Sequence, residues 1–361
     1  MRRMSNLLKI LAIMALTNAY VQAHEGVLVA KNVNRLPTTA QDPMWNEAVP
    51  ITLPLAAQNF ILPHGGGSVG QVEVQALTTK TEIAFRLTWK DATRNDTWDT
   101  SARFTDGCAV QLPVDPNILP SPFMGEKGKP VTIWRWRAIG HTPMEARAPK
   151  AYVDYYRPDA LHTVVPLPSS PVEHLIAEGF GTVAPHPKPQ IEGEGAYKTD
   201  GWTVVMRGSR PAKEVFPFAV AVWEGGASDR DGAKSLTFWH WVSVGGKALP
   251  VQKTPVKKGR IVFERYGCAT CHGEKGVGGV PNPNSQTGPT IPPLQDLREK
   301  FTEAELITLI QQGVIPERAD PKGPPPFRRM PAWVTVSDEE MSDLLKYLLT
   351  LKSGKKSGDG W

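Results

Sequence analysis

Ile83-Ala84-Phe85-Arg86-Leu87-Thr88-Trp89-Lys90 sets large apolar residues on alternate positions, with Ala84, Arg86, Thr88 and Lys90 between them. A period of two is that of a strand with one buried face. Working outward, similar runs occur at residues 69–77, 108–114, 202–207, 216–223 and 236–244, separated by clusters of Gly, Pro, Asp and Asn. Many short strands with no long helical period between them predict a mainly β N-terminal domain, an antiparallel β-sandwich, over residues 24–245. Cys108 falls in one of these strands and reads as a buried structural thiol.

Residues 246–258 are polar and Pro-containing, with no usable hydrophobic period, and are expected to be a linker. Beyond them the period turns helical, predicting an all-α C-terminal domain over 259–352 and a polar tail over 353–361. Helices are expected at 256–266, 302–312 and 337–351, with Pro-rich loops at 280–293 and 316–326. The last helix opens with a capping-box pattern, Ser337-x-x-Glu340, and carries Met341, Leu344, Leu345, Leu348 and Leu351 near one face.

Cys268-Ala269-Thr270-Cys271-His272 is a C-x-x-C-H motif, in which two thiols add to the vinyl groups of haem and the adjacent His272 becomes an axial iron ligand. The chain has three cysteines, so no second pair exists to complete a zinc site, and no βαβ pattern of a redox dithiol surrounds the motif. The expected cofactor is one covalent haem c. Met330, in the loop before the last helix, is the expected sixth ligand, and a His/Met pair favours electron transfer. Met341 is its rival, though it lies on a helix packing face, and Met commonly does no more than fill a core gap.

The N-terminus carries Arg2, Arg3, an apolar stretch and the small-x-small pattern Val21-Gln22-Ala23, which reads as a signal peptide over residues 1–23 and a periplasmic location. The apolar stretch is too short for a membrane span. General secretion suits an unfolded chain awaiting haem better than the twin-arginine route. Arg2, Arg3 and Lys9 supply three of the 41 basic residues, against 36 acidic ones, so the mature chain is close to neutral. A nucleic-acid partner, which would call for a concentrated basic face, is not expected.

The order helix, C-x-x-C-H, Pro-rich loop, helix, Met-Pro, terminal helix resembles the class I cytochrome c family. In the sandwich region, residues 120–125 (PSPFMG) and 130–136 (PVTIWRW), then 220–225 (VAVWEG), 229–232 (DRDG), Lys234-Ser235 and Trp239, with 179–182 (GFGT), resemble the haem b-binding family typified by the γ subunit of ethylbenzene dehydrogenase. That resemblance implies one non-covalent haem b, with Met124 and Lys234 as axial ligands. A lysine ligates iron once it loses its proton, which the metal and a dry pocket favour. Without the family, Met124 reads as loop packing and Lys234 as a solvated turn residue. His240 is the competing ligand but reads better as a core histidine, and His24 could begin a copper site for which no pairing histidine can be named. The glycines at 65–70 (GGGSVG) satisfy G-x-G-x-x-G but precede a strand, so the helix N-terminus that would hold a pyrophosphate is missing.

Two haems in one exported chain predict an electron-transfer subunit with no catalytic residues and no substrate chemistry of its own. The resemblance implies a periplasmic molybdopterin oxidoreductase complex with a separate catalytic subunit, a separate iron-sulfur subunit and an external cytochrome as redox partner. The fused b-plus-c arrangement resembles the cytochrome subunit of nitrite oxidoreductase. A free-standing dihaem carrier and a haem-free binding module tethered to a cytochrome c are the alternatives. A dihaem peroxidase would need a second C-x-x-C-H motif.

Overall fold

The computed structural model describes residues 27–96, 104–141, 171–250 and 252–353. The expected signal peptide, His24 and all but the first residue of the tail lie outside the described residues.

The N-terminal region contributes β1 (Val27–Asn32), β2 (Ile51–Pro54), β3 (Ala56–Ala57), β4 (Gln71–Thr78), β5 (Glu82–Lys90), β6 (Gly107–Pro113) and β7 (Val131–Arg137). It continues with β8 (Val172–Ala177), β9 (Ala184–Pro185), β10 (Ile191–Tyr197), β11 (Gly201–Ser209), β12 (Val215–Trp223), β13 (Ser235–Leu236) and β14 (His240–Val244). Hydrogen bonds join them in the order β10-β11-β5-β4-β1-β14-β12-β6-β7-β8-β9, with β2, β3 and β13 as side branches. The two halves of this path face each other. Phe85 of β5 meets Trp134 of β7 at 5.9 Å between ring centroids, and Trp136 of β7 meets Trp202 of β11 at 4.8 Å. Alternation supplies the packing: Ile83, Phe85, Leu87 and Trp89 all point into this core, as the period of two required. Cys108 is fully buried there too.

The sheet departs from a purely antiparallel pattern at β1, which runs parallel to both β14 and β4. Parallel neighbours need long connections, and here the chain passes through β2 and β3 before reaching β4. A second departure concerns residues 236–244, expected as one strand. The register shifts by one residue between Ala221↔Leu236 and Phe218↔His240, which is a β-bulge at 237–239. Thr237 fills the gap, donating its N–H to the Val220 carbonyl at 2.8 Å and accepting the Val220 N–H on Oγ1 at 2.8 Å. The bulge re-aims Phe238 away from the sandwich and towards the helices.

The C-terminal region folds as α1 (Pro255–Arg265), α2 (Cys268–His272), α3 (Glu303–Gln312) and α4 (Asp338–Leu348). Thr254 caps α1 with Pro255 at its first position, and capping boxes start α3 (Thr302, Glu305) and α4 (Ser337, Glu340). Helices α1 and α4 pack together through Phe263 and Tyr347, whose rings are 5.5 Å apart. Glu340 also accepts from the Tyr266 hydroxyl at 3.0 Å and pairs with Arg265. The helical core does not close on itself: Phe60, Ile61, Phe123, Leu236 and Phe238 of the sandwich belong to the same buried cluster as Phe263, Trp333, Leu344 and Leu345.

Candidate functional site

Met124 and Lys234 are 110 residues apart, yet the Lys234 amine lies 3.8 Å from the Met124 thioether sulfur. Metal–nitrogen and metal–sulfur bonds run about 2.0 and 2.3 Å, so two donors trans across one ion stand about 4.3 Å apart. At 3.8 Å the amine and the thioether stand somewhat closer than that, in direct contact with each other. Both donors sit over the outward face of β6, β7, β8 and β12, where Ala109, Ala177 and Ala219 leave a shallow apolar floor beside Trp239, Trp223 and Met124. Its small and aromatic side chains are of the kind that a flat apolar macrocycle would contact.

Each donor is held by its neighbours. Met124 has φ 70°, unusual for a residue with a side chain, and such a conformation costs of order 1–3 kcal/mol and persists only where the surroundings impose it. Here the Met124 carbonyl accepts from Gly179 N–H at 2.8 Å, Gly125 N–H reaches back to the Ser121 carbonyl at 3.0 Å, and Gln111 holds the Pro122 carbonyl at 2.9 Å. On the other side the glycine loop 65–67 grips the lysine backbone. A methyl group on Gly66 would stand 2.0 Å from the Lys234 carbonyl oxygen, so no larger residue fits. Gln58 donates its N–H to that same carbonyl at 3.0 Å, and Gly67 N–H donates to Ser235 Oγ at 2.8 Å.

The Lys234 amine is pushed down from the usual lysine range to about 8, chiefly by burial and further by the nearby Arg135 cation, with Asp231 opposing. A neutral amine, the form that donates to iron, is thus within reach near neutral pH. The indole of Trp223 lies 5.2 Å away and is the remaining wall of this corner. His240 is half-buried, with its ring 6.1 Å from Phe218.

In the helical region, Cys268, Cys271 and His272 all lie on α2, a single helical turn that begins after Gly267. Burial pushes the Cys268 thiol up to about 12, with Cys271 adding to the effect, and raises Cys271 as well, opposed by Arg328. Burial lowers His272, with the Pro292 carbonyl opposing, although no hydrogen bond of good geometry reaches Nδ1. Burial thus holds both thiols protonated and favours the neutral imidazole, the form of His272 that can ligate a metal. Met330 is half-buried and lies against the same apolar cluster as Cys268, in a bridge with Val314 (2.8 and 2.9 Å), whereas Met341 is packed into α4 at 4% exposure. Asn282, buried at the junction of the two Pro-rich loops, holds the strand leading to Met330 through Arg328, accepting from its N–H at 2.7 Å and donating to its carbonyl at 3.1 Å.

The two regions touch directly. Thr270, inside the C-x-x-C-H motif, is 2.7 Å from Ser121 through their hydroxyls. Arg329 binds the Asn59 carbonyl and side chain at 2.5 and 2.7 Å, and Arg265 reaches the Trp239 carbonyl at 2.7 Å. Sequence reading singled out neither Gln58 nor Asn59 and gave Gly66 and Ser121 no contact of their own, since only the fold brings them to the two donor sets.

Residues 42–186 match the family model described as ethylbenzene dehydrogenase, and residues 256–352 match that of cytochrome c. The first match takes in Met124 and ends before Lys234. The chain is 27% identical over 248 residues to the chlorate reductase subunit gamma of Ideonella dechloratans, covering 63% of this chain and 90% of that one. It is 28% identical to a respiratory nitrate reductase heme subunit of Haloferax mediterranei, covering 54% of this chain and 64% of the relative. It is 25% identical to the dimethylsulfide dehydrogenase subunit gamma of Rhodovulum sulfidophilum, covering 47% and 58%. A carbohydrate binding module of Caldicellulosiruptor kristjanssonii superposes with a TM-score of 0.34 at 8% identity, over 63% of this chain and 99% of that one, too loosely to carry an argument. No helix among the described residues is long and apolar enough to cross a membrane.

Proposed function

We propose that this chain, which joins an ethylbenzene dehydrogenase-type domain to a cytochrome c domain, is the dihaem electron-transfer subunit of a molybdopterin oxidoreductase complex. The observation that carries the reading is the convergence of Met124 and Lys234 at 3.8 Å over an apolar floor, beside a complete C-x-x-C-H helix. In this reading Met124 and Lys234 are the axial ligands of a haem b, Cys268 and Cys271 hold a haem c, and His272 and Met330 are its axial ligands. Bound in this way, the two groups supply reversible one-electron storage and nothing else.

The residues of the chain then have positioning tasks. Gln58 and Gly66 fix the Lys234 backbone, the burial around its amine favours the neutral form, and the 120–125 loop presents the Met124 thioether. The domains divide as residues 24–245, a linker at 246–258 and the cytochrome at 259–352. Electrons pass between an iron-sulfur subunit and an external cytochrome, while substrate chemistry belongs to a separate molybdopterin subunit. The relatives named as gamma or heme subunits of chlorate reductase, nitrate reductase and dimethylsulfide dehydrogenase support this class of complex. Nitrite/nitrate interconversion in the periplasm, after removal of a signal peptide over 1–23, is the specific assignment, favoured by the b-plus-c fusion.

A pyridine haemochrome spectrum of the purified native chain, with acid-acetone extraction, tests the reading. One extractable haem b and one retained haem c per chain are expected. Haem c alone would reduce the sandwich to a binding module. Co-purification of molybdenum from the native host is the corresponding test of the complex, and its absence would leave a free carrier.

A further inference from the structure

We propose that the Phe123 ring, seated on Gly267, is the electron-transfer contact between the two donor sets of this chain; the inference rests on the two-haem reading above. Phe123 is peptide-bonded to Met124, and Gly267 is peptide-bonded to Cys268. A methyl group on Gly267 would stand 2.6 Å from Phe123 Cε2 and 2.8 Å from Pro122 Cγ. Gly267, with φ 73°, has no side chain to keep that ring away. A path from the Met124 thioether through its backbone, the Phe123 ring and the Gly267–Cys268 peptide therefore crosses a single non-bonded gap.

A second contact clamps the same junction. Ser121 Oγ is 2.7 Å from Thr270 Oγ1 and also accepts the Phe123 N–H at 3.2 Å, so one hydroxyl ties the attachment helix to the loop that presents Met124. The loop is fixed from behind by Trp239 Nε1, which donates to the Pro120 carbonyl at 2.7 Å. Phe123 is 4% exposed, with Phe60 at 3.8 Å and Phe238 at 6.1 Å. Burial of the ring keeps water from its face, which limits the polar reorganisation that accompanies a moving charge, while a small cavity lined by Ser121, Gly267 and Thr270 opens beside the contact.

The alternative route starts at Lys234 and follows its strand to Phe238, whose ring lies 5.2 Å from Tyr266 and 4.9 Å from Trp333. It needs four residues of backbone, against one from Met124 to Phe123, and then a ring-to-ring step to Tyr266, two residues from Cys268, where Gly267 is one. The Phe123 route is shorter on both counts. The step itself is one electron: the iron of one region goes from ferrous to ferric while that of the other goes from ferric to ferrous, with no bond broken and no proton moved. The electron enters from a one-electron donor, an iron-sulfur protein in the complex or a radiolytically produced radical in the test.

The test uses the full chain carrying both haems, as wild type, Phe123→Leu and Thr270→Val. Haem content per chain and both reduction potentials are measured first, then the rate at which the two haems equilibrate after pulse-radiolytic reduction of one. Phe123→Leu is expected to keep both haems and both potentials while the equilibration rate falls severalfold. Thr270→Val, which cuts the clamp without touching the core, is expected to slow it less, again at unchanged potentials. An unchanged rate in Phe123→Leu overturns the proposal. If that variant does not hold both haems, an unchanged rate in Thr270→Val overturns it. A wild-type chain with one haem fails differently, removing the two-haem reading itself.

Discussion

The two donor sets are built in opposite ways. In the helical region Cys268, Cys271 and His272 occupy one turn of helix, so their mutual geometry is set by local backbone alone. In the sandwich region Met124 and Lys234 come together only because β6, β7, β12 and β13 are correctly ordered and two loops close over them. A local constellation keeps its chemistry even in an incompletely folded chain, which is what covalent attachment needs. A convergent one reports on the whole fold. The boundary between them is not a clean one, because Phe238 belongs by sequence to the sandwich and by packing to the helical core.

The strongest attack on this contrast is at that shared residue. Phe238 is 8% exposed and touches Phe123, Tyr266 and Trp333, and truncating a buried Phe to Ala costs about 3–5 kcal/mol. Phe238→Ala should lower the denaturation midpoint of both regions together, followed by haem absorbance for one and tryptophan fluorescence for the other. Separate midpoints, with only one displaced, would mean the regions unfold independently. At the donor sets, Met124→Ala and Lys234→Ala should each remove extractable haem b and leave haem c in place, read by haemochrome spectra. Cys271→Ala should do the reverse, abolishing the haem that survives a denaturing gel.

A pH measurement sharpens the same comparison. The folded-state value of the Lys234 amine is lowered from the usual 10.5 to about 8. Between those values the unfolded chain binds a proton that the folded chain has shed, so haem-free stability should rise with pH across that window. Haem b uptake should likewise strengthen as pH rises through about 8, and Lys234→Met should abolish the rise in stability. Haem c retention, which depends on thioether bonds, should be flat over the range. Smaller still is the cap of α4: Ser337→Ala removes a side-chain acceptor for Glu340 N–H and should cost about 1 kcal/mol in urea unfolding. The Lys129–Glu274 bridge between the regions, with Glu274 largely exposed, should shift the midpoint least; exposed pairs contribute at most about 1 kcal/mol.

Much of this was legible in the sequence, for different reasons in the two halves. The alternation at Ile83, Phe85, Leu87 and Trp89 displayed the strand and its buried face directly, and Ser337 with Glu340 marked the start of the last helix. The parallel placement of β1 was not legible, because strand direction is a tertiary property that alternation does not encode. The bulge at Thr237 was hidden for a related reason: one extra residue leaves the hydrophobic pattern on both sides intact and only shifts its register. Nothing in the sequence singles out Gln58, which is 2% exposed, with its side chain bonded to the Phe60 and Ile61 N–H groups and the Ile61 and Pro63 carbonyls. Met124 and Lys234 were reachable through family resemblance alone, since nothing local distinguishes them from other loop residues.

The bulge at Thr237 also governs what happens when the chain is cut. Because it sends Phe238 into the neighbouring core and brings the Trp239 carbonyl to Arg265, the halves are held by buried contacts as well as by the peptide at 245–254. A protease that nicks the exposed residues 245–248 would leave two fragments migrating as one particle on gel filtration and parting only in denaturant. Inheritance of the pair as one gene product thus secures equal numbers of the two halves, while the grip between them is supplied by side chains.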